Sequence, residues 1–390
     1  MTERIVIVGA GVTGATAAQT LRKEGFEGSI TLIGSEPIAP YRRPVVSKDL
    51  LAGTIALEKC LIDTESSWAA QDIALLTGTT VVAVEDGRVR LRTGEALAYD
   101  SLLLATGARA NTLHPTPEAR THTLRGIEDI AALRDSILST GSLLVIGAGL
   151  IGCEVAATAR ALGADVRILH AGTAPLERIL PEAVSEVVRD LHAAHDVPIE
   201  NDVLLSEIAD DPGGTITATA IDGRTWTAGT VLVAIGSSPS DELARSAGLD
   251  VDNGILVDER YRTSRPGVFA AGDVANRFLP QLGQHERSEH WNSARYDGAA
   301  AAKSMLGQPA PDFETPWGWS SQYGVNIQFA GWMHPHDELV VQGSLPDRDF
   351  AALALRHGEL VGAAAIGRPK ELRTVRQTME SARPFPSVRR

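Results

Sequence analysis

The run "IVIVGAGVTGATAAQTL" from residue 5 returns in pattern as "LLVIGAGLIGCEVAATA" from residue 143. Each is a short apolar stretch, then Gly-x-Gly-x-x-Gly, then a segment of small residues with helical character. No other feature limits the possible folds as sharply. In such a unit the first glycine permits the tight turn out of a strand and the second lets backbone approach a pyrophosphate. The third lets the helix pack against the sheet, and the ligand's charge rests on the helix N-terminus. Gly9, Gly11 and Gly14 make the first cradle; Gly147, Gly149 and Gly152 make the second. The chain reads as a holder of two dinucleotides.

Around the cradles the texture is that of parallel α/β sheets. Strands at 5–8 and 30–33 flank a helix near 12–24, and strands at 143–146 and 166–169 flank a helix near 150–162. Between them, "TTVVAVEDGRVRLRTGEALAYDSLLLATG" predicts a β-meander turning at Asp86-Gly87 and Thr93-Gly94, then a short buried strand. Pro309, Pro311 and Pro316 mark a linker, after which strands and a late helix near 368–381 predict a separate α+β domain. Residues 309–390 are expected to form a domain of their own.

Composition excludes several classes. A length of 390 residues with 44% hydrophobic and 22% charged content suits a soluble chain of two or three domains. No run of 18 apolar residues offers a membrane span, and four residues before the first strand leave no room for a signal peptide, so a cytoplasmic protein is expected. A net charge of -13 argues against nucleic acid as a partner. Cys60 and Cys153 are far apart and in no C-x-x-C pair, which leaves no dithiol and predicts two buried thiols. No metal site is expected.

Four further stretches surround the first cradle. Glu36, closing "ITLIGSE", is placed to bind the hydroxyls of an adenosine ribose. In "APYRRPVVSKDLL", Arg42, Arg43 and Lys48 gather cations, and Ser47 and Lys48 open a helical segment. Ala105, Thr106 and Gly107 offer backbone amides at a strand end. In "PGVFAAGDVAN", Gly272 and the carboxylate of Asp273 can meet a polyhydroxy ligand.

These motifs, with "PYRRPVVSK", "LLLATGA", "GVFAAGDVA", "ERSEHWNSARYDGAAAAKSMLG" and "TPWGWSSQYGVNIQFAGW", resemble the FAD-dependent NAD(P)H:ferredoxin reductases of oxygenase systems, the family of the putidaredoxin and biphenyl dioxygenase reductases. The resemblance runs nearly end to end. It implies a glutathione-reductase-like fold: an FAD domain (1–108 and 237–308) carrying an inserted NAD(P)H domain (109–236), then the C-terminal α+β domain. FAD would lie in the first cradle and NADH, or NADPH, in the second, with Leu150, Ile151 and Gly236 also at the coenzyme. Glu154 would stand beside the nicotinamide, paired with Lys48 near the flavin; these two are the catalytic candidates. Glu289, His290, Trp291 and Trp319, with Trp317, are candidates for the flavin's exit edge. Gly318 and Ser321, where relatives often carry Asp at the latter position, would leave that edge less filled and less polar.

Without a cysteine pair over the flavin, electrons entering as hydride must leave singly to an external acceptor. The implied acceptor is a ferredoxin serving a monooxygenase or dioxygenase. Rubredoxin reduction, oxygen reduction by NADH, and a flavin-bound sensor or scaffold like the apoptosis-inducing flavoproteins are the alternatives. His170 ends the strand "DVRILH" where NADH-using relatives place an acid, so the preference for NADH is slight. Seven cations between Arg368 and Arg390 (Arg368, Lys370, Arg373, Arg376, Arg383, Arg389, Arg390) form a candidate docking patch for an acidic ferredoxin.

Overall fold

The computed structural model describes residues 3–117, 119–211, 213–280, 282–309 and 314–381. The strand Arg4–Val8 is buried from Ile5 to Val8, as an unbroken apolar run requires in a parallel sheet covered on both faces. It pairs in parallel with Ser29–Ile33 on one side and Ser101–Leu104 on the other, while Ile73–Leu76 and Val268–Ala270 form the edges. The spatial order therefore reverses at the first strand, which opens a crevice over the strands' carboxyl ends.

A second parallel sheet repeats the plan. Ser142–Ile146 lies between Asp165–Leu169 and Thr230–Val233, with Ile199–Glu200 and Thr121–His122 outside them. The chain leaves the first unit through Ala108–Ala110 and returns through Ser237–Pro239, and these two segments pair antiparallel as a two-stranded neck. The meander forms at 81–85, 88–91 and 96–98, with turns where Asp86-Gly87 and Thr93-Gly94 predict them.

The C-terminal unit is a five-stranded antiparallel sheet in the order Trp317–Gln322, Val325–Gly331, Glu359–Ile366, Asp349–Arg356, Glu338–Ser344. Its helix Pro369–Ser381 lays Leu372, Val375 and Met379 on Ala330, Ala351, Ala363 and Ala365. Small residues there let the helix sit close. Other residues of this sheet, Ile327, Phe329, Phe350 and Ala364, join a core that contains Val155, Val184 and Val188 of the second unit and Tyr41, Val46 and Leu51 of the first. One apolar core thus ties all three units together at the place where the cradles face each other. No helix among the described residues is long and apolar enough to cross a membrane.

Candidate active site

The two cradles superpose in their chemistry. Gly9 and Gly147 adopt φ of 112° and 108°, a region open to glycine, and their N–H groups donate to the carbonyls of Ile33 (2.8 Å) and Leu169 (2.7 Å). A Cβ on Gly14 or Gly152 would collide with the carbonyl of Gly9 or Gly147, so each helix rests directly on its own turn. Gly11 and Gly149 face open space, and the helices they begin, Val12–Lys23 and Leu150–Ala161, have no side-chain cap. Uncapped helix amides facing an opening are what a pyrophosphate satisfies. The chain's residues fit two dinucleotides.

The first cradle opens into a cleft of about 590 Å³. Gly9, Gly11, Glu36, Arg43, Ala105, Thr106 and Gly107 line it, with Asp273, Glu289, His290, Trp291 and Trp319. Glu36 accepts hydrogen bonds from Tyr41 Oη (2.7 Å) and Arg43 Nη2 (2.5 Å), which aim the carboxylate. Asp273 accepts from Arg125 Nη2 at 2.7 Å, and Arg125 lines the cleft although no motif marks it. Ring centroids of Trp291 and Trp319 lie 6.2 Å apart, edge to face. The buried Nε1 of Trp291 has no partner in the protein, a donor of the sort a bound group satisfies. Burial holds the His290 pKa below the ordinary value, so its imidazole is neutral at physiological pH.

Several expectations need correction. Of the three cations, Arg43 and Lys48 both line the cleft but are taken up by Glu36 and Glu154, while Arg42 lies outside it and donates to the carbonyl of Lys59. Each cation finds its own local acceptor, which disperses the charge. Gly272 does not line the cleft; at φ 75° it backs onto Thr13 of the first cradle helix and thereby positions Asp273. The exit edge is not left open at Gly318, since the Phe329 ring and His290 occupy the space a side chain there would take. Ser321 and Trp317 lie outside the cleft lining. Trp317 instead packs under the Arg376 guanidinium, 4.5 Å from the ring centroid.

Leu150, Ile151 and Glu154 reach the same cleft from the second cradle's helix. Lys48, in a π-helical turn over Val46–Leu50, donates from Nζ to Glu154 Oε2 at 2.5 Å and to the Pro44 carbonyl at 2.8 Å. Ser47 Oγ donates to the same carboxylate oxygen (2.5 Å) and Ser320 Oγ to the other (2.8 Å). Glu154 is only 4% exposed, so these donors replace its water. The sequence marks Ser47 only as the start of a helical segment and Ser320 not at all, and both lie more than a hundred residues from Glu154.

At the second cradle, His170 Nδ1 accepts from the Ala148 N–H at 3.3 Å, and burial keeps the imidazole pKa low. Its Nε2 lies 3.5 Å from Glu177 Oε1. The other Glu177 oxygen accepts from Thr173 N (2.9 Å), Thr173 Oγ1 (2.9 Å) and Ala174 N (3.2 Å). Burial works against ionisation there, but these donors bring the carboxyl below its usual range. The acid that the strand's own end lacks is therefore supplied from the loop beyond it. His170 carries no charge, but the next loop folds Glu177 back beside it. Gly236, at φ 100°, ends the neighbouring strand's turn and accepts from the Asn111 N–H at 3.0 Å.

Cys60 and Cys153 are buried and unbonded to each other, as their positions predict. Two cations of the tail are already paired. Arg368 pairs with Asp349 at 3.0 Å, and Arg376 pairs with Glu314 at 2.9 Å while covering Trp317. Both guanidinium groups are therefore already paired with carboxylates. Lys370 and Arg373 are exposed, and Arg383, Arg389 and Arg390 lie outside the described residues.

Comparison with known proteins follows the same outline. Residues 3–298 match the pyridine nucleotide-disulphide oxidoreductase family, and residues 317–389 match the reductase C-terminal family. The chain is 38% identical over 378 residues to the anthranilate 1,2-dioxygenase system ferredoxin--NAD(+) reductase component of Burkholderia cepacia, covering 95% of this chain and 93% of the relative. It is 38% identical over 377 residues to the biphenyl dioxygenase system ferredoxin--NAD(+) reductase component of Paraburkholderia xenovorans (strain LB400), covering 95% and 91%. Among solved structures, the covalent putidaredoxin reductase–putidaredoxin complex contains a chain that superposes with a TM-score of 0.92 at 33% identity, covering 98% of this chain and 94% of that one.

Proposed function

The chain belongs to the pyridine nucleotide-disulphide oxidoreductases, among the ferredoxin reductases of oxygenase systems, and on that footing we propose that it carries electrons from NADH through FAD to a ferredoxin-type iron–sulfur protein. Bound FAD supplies the chemistry, since a flavin accepts two electrons together as hydride and releases them singly. The observation that carries the reading is a single cleft lined by the first cradle and by the helix of the second, bridged by the Lys48–Glu154 ion pair. The first cradle with Glu36, Arg43 and Asp273 holds FAD; the second, with Leu150, Ile151 and Gly236, holds the coenzyme. Lys48 and Glu154 set the polarity where the two meet.

Glu177 supports NADH over NADPH. Its carboxylate, oriented by Thr173 and Ala174 and set against His170, is suited to grip ribose hydroxyls and repel a 2′-phosphate. Cys60 and Cys153 are buried apart, so no thiol pair relays the electrons, and Trp291 and Trp319 border the exit. The acceptor ferredoxin in turn serves a monooxygenase or dioxygenase. The cytoplasm is the compartment this reading assigns.

Purified holoprotein titrated anaerobically with NADH tests the reading. Its flavin absorbance should bleach, then recover when a small oxidised [2Fe–2S] ferredoxin is added, with two ferredoxins reduced per NADH. A protein that fails to bleach, or that bleaches and passes nothing to the ferredoxin, overturns it.

A further inference from the structure

Behind Glu154 a row of buried polar side chains runs away from the cleft, and the chemistry of its members fixes the direction of every hydrogen bond. A carboxylate only accepts, so Ser320 Oγ–H donates to Glu154 Oε1 (2.8 Å). Ser320 Oγ therefore accepts from Gln322 Nε2 (3.0 Å), which turns the Gln322 carbonyl toward His192 Nε2 (2.9 Å). His192 must carry its hydrogen on Nε2, leaving Nδ1 to accept from the Tyr323 hydroxyl (3.0 Å). Burial lowers the His192 pKa to about 4, so a single neutral tautomer serves both ends. Ser320, Gln322 and His192 are at most 1% exposed.

The row draws members from all three units. His192 belongs to the helix Glu182–Ala193 of the inserted unit, Ser320 and Gln322 to the first strand of the C-terminal sheet, and Lys48 to the first unit. Its far end is held at a local cost. Tyr323 sits at φ 51° in the two-residue turn with Gly324, a place that favours Asn or Gly over an aromatic residue. There its ring stacks on His195, with centroids 3.9 Å apart and planes 10° off parallel, and its hydroxyl reaches His192. Apolar side chains of equal volume would fill the same space without needing partners. What the polar row adds is direction.

We infer that His192, Gln322 and Tyr323 are positioning residues of the reductase site, joined through Ser320 into one oriented hydrogen-bond chain that ends on Glu154 and holds its carboxylate against Lys48. This rests on the reading that Glu154 and Lys48 stand where the two cofactors meet. Without the His192 donor, the Gln322 amide is free to turn over. Its carbonyl then competes for the Ser320 hydroxyl, and Glu154 loses the donor on Oε1.

The test is a double-mutant cycle on the FAD-loaded protein, reading the flavin midpoint potential by equilibrium dye titration and the limiting rate of bleaching by NADH. His192→Phe and Gln322→Leu should each slow bleaching about tenfold and shift the flavin couple by a tenfold change in equilibrium constant, about 30 mV for two electrons. His192→Gln, whose Nε2 donor can replace the imidazole's, should restore both values. In an Glu154→Gln background, His192→Phe should change neither. Equal effects of His192→Phe with and without Glu154, or no effect of His192→Phe and Gln322→Leu on either readout, would overturn the inference. Failure of the wild-type protein to bleach with NADH would instead overturn the functional reading beneath it.

Discussion

Replacing Lys48 by methionine strands a carboxylate that is 4% exposed. The methionine keeps most of the aliphatic stem, so the change is mainly one of charge. Breaking a buried ion pair from one side costs about 3–5 kcal/mol, because the remaining charge stays desolvated. Here Ser47 and Ser320 continue to donate to Glu154, at 2.5 and 2.8 Å, and Lys48 itself is 18% exposed. Those remaining donors lower the expected cost to about 2–3 kcal/mol. The corresponding fall in melting temperature is about 3 °C if the chain unfolds as one unit, and about 9 °C if the inserted unit melts alone. Removing the charge as well, in Lys48→Met/Glu154→Gln, should return most of that stability while leaving reduction by NADH slow. Thermal melts followed by release of FAD fluorescence, together with stopped-flow bleaching by NADH, separate the two effects. If the double variant melts as low as the single one, the stranded charge is not the cause. If Lys48→Met bleaches as fast as wild type, the pair has no part in the hydride step.

The other predictions concern the coenzyme, acidity and the partner. Glu177→Ala should lower the ratio of catalytic efficiencies for NADH over NADPH by about 10–100-fold, the worth of a charge-assisted hydrogen bond; an unchanged ratio removes Glu177 from coenzyme choice. His192 is held neutral with a pKa of about 4 against an unfolded value of 6.5, so the unfolded state binds more protons between those limits. Stability should therefore fall by about 3 kcal/mol as the pH drops from 6.5 to 4, and urea midpoints of His192→Gln should lack that part of the slope; parallel curves for the two proteins refute it. Neutralising Lys370 and Arg373 together should slow reduction of an acidic ferredoxin about tenfold at low salt, less at high salt, and leave ferricyanide reduction unchanged. Equal loss with both acceptors would show that those residues act on the fold and not on docking.

What the sequence reveals here depends on how local the physics is. The cradles are legible because every requirement on Gly9, Gly11 and Gly14 is met within one strand, one turn and one helix, and the same holds for Gly147, Gly149 and Gly152. Charge is harder to read. Seven cations in the tail look like a patch until Glu314 and Asp349 claim Arg376 and Arg368, and counting side chains cannot anticipate those pairings. The coenzyme site shows the same limit on a smaller scale. An acid is sought at the strand end, where His170 stands, yet the turn beyond it brings Glu177 to the same place, close enough that a side chain at Gly172 would collide with it.

The least legible part is the support of Glu154, and the reason is topological. Of its three donors the resemblance gives only Lys48; Ser47 and Ser320 join from two other elements, and the chain behind Ser320 returns to residue 192. No periodicity links such positions, because each lies on an element whose own pattern is satisfied by packing alone. His192 falls on the buried face of an amphipathic helix, where an apolar residue would fit the pattern equally well. A polar residue at such a position breaks the local rule, and that breach is the only trace it leaves in the sequence. Buried polar groups in this fold therefore carry information that the apolar pattern does not. Following the donors from one to the next leads back to the carboxylate between the two cradles.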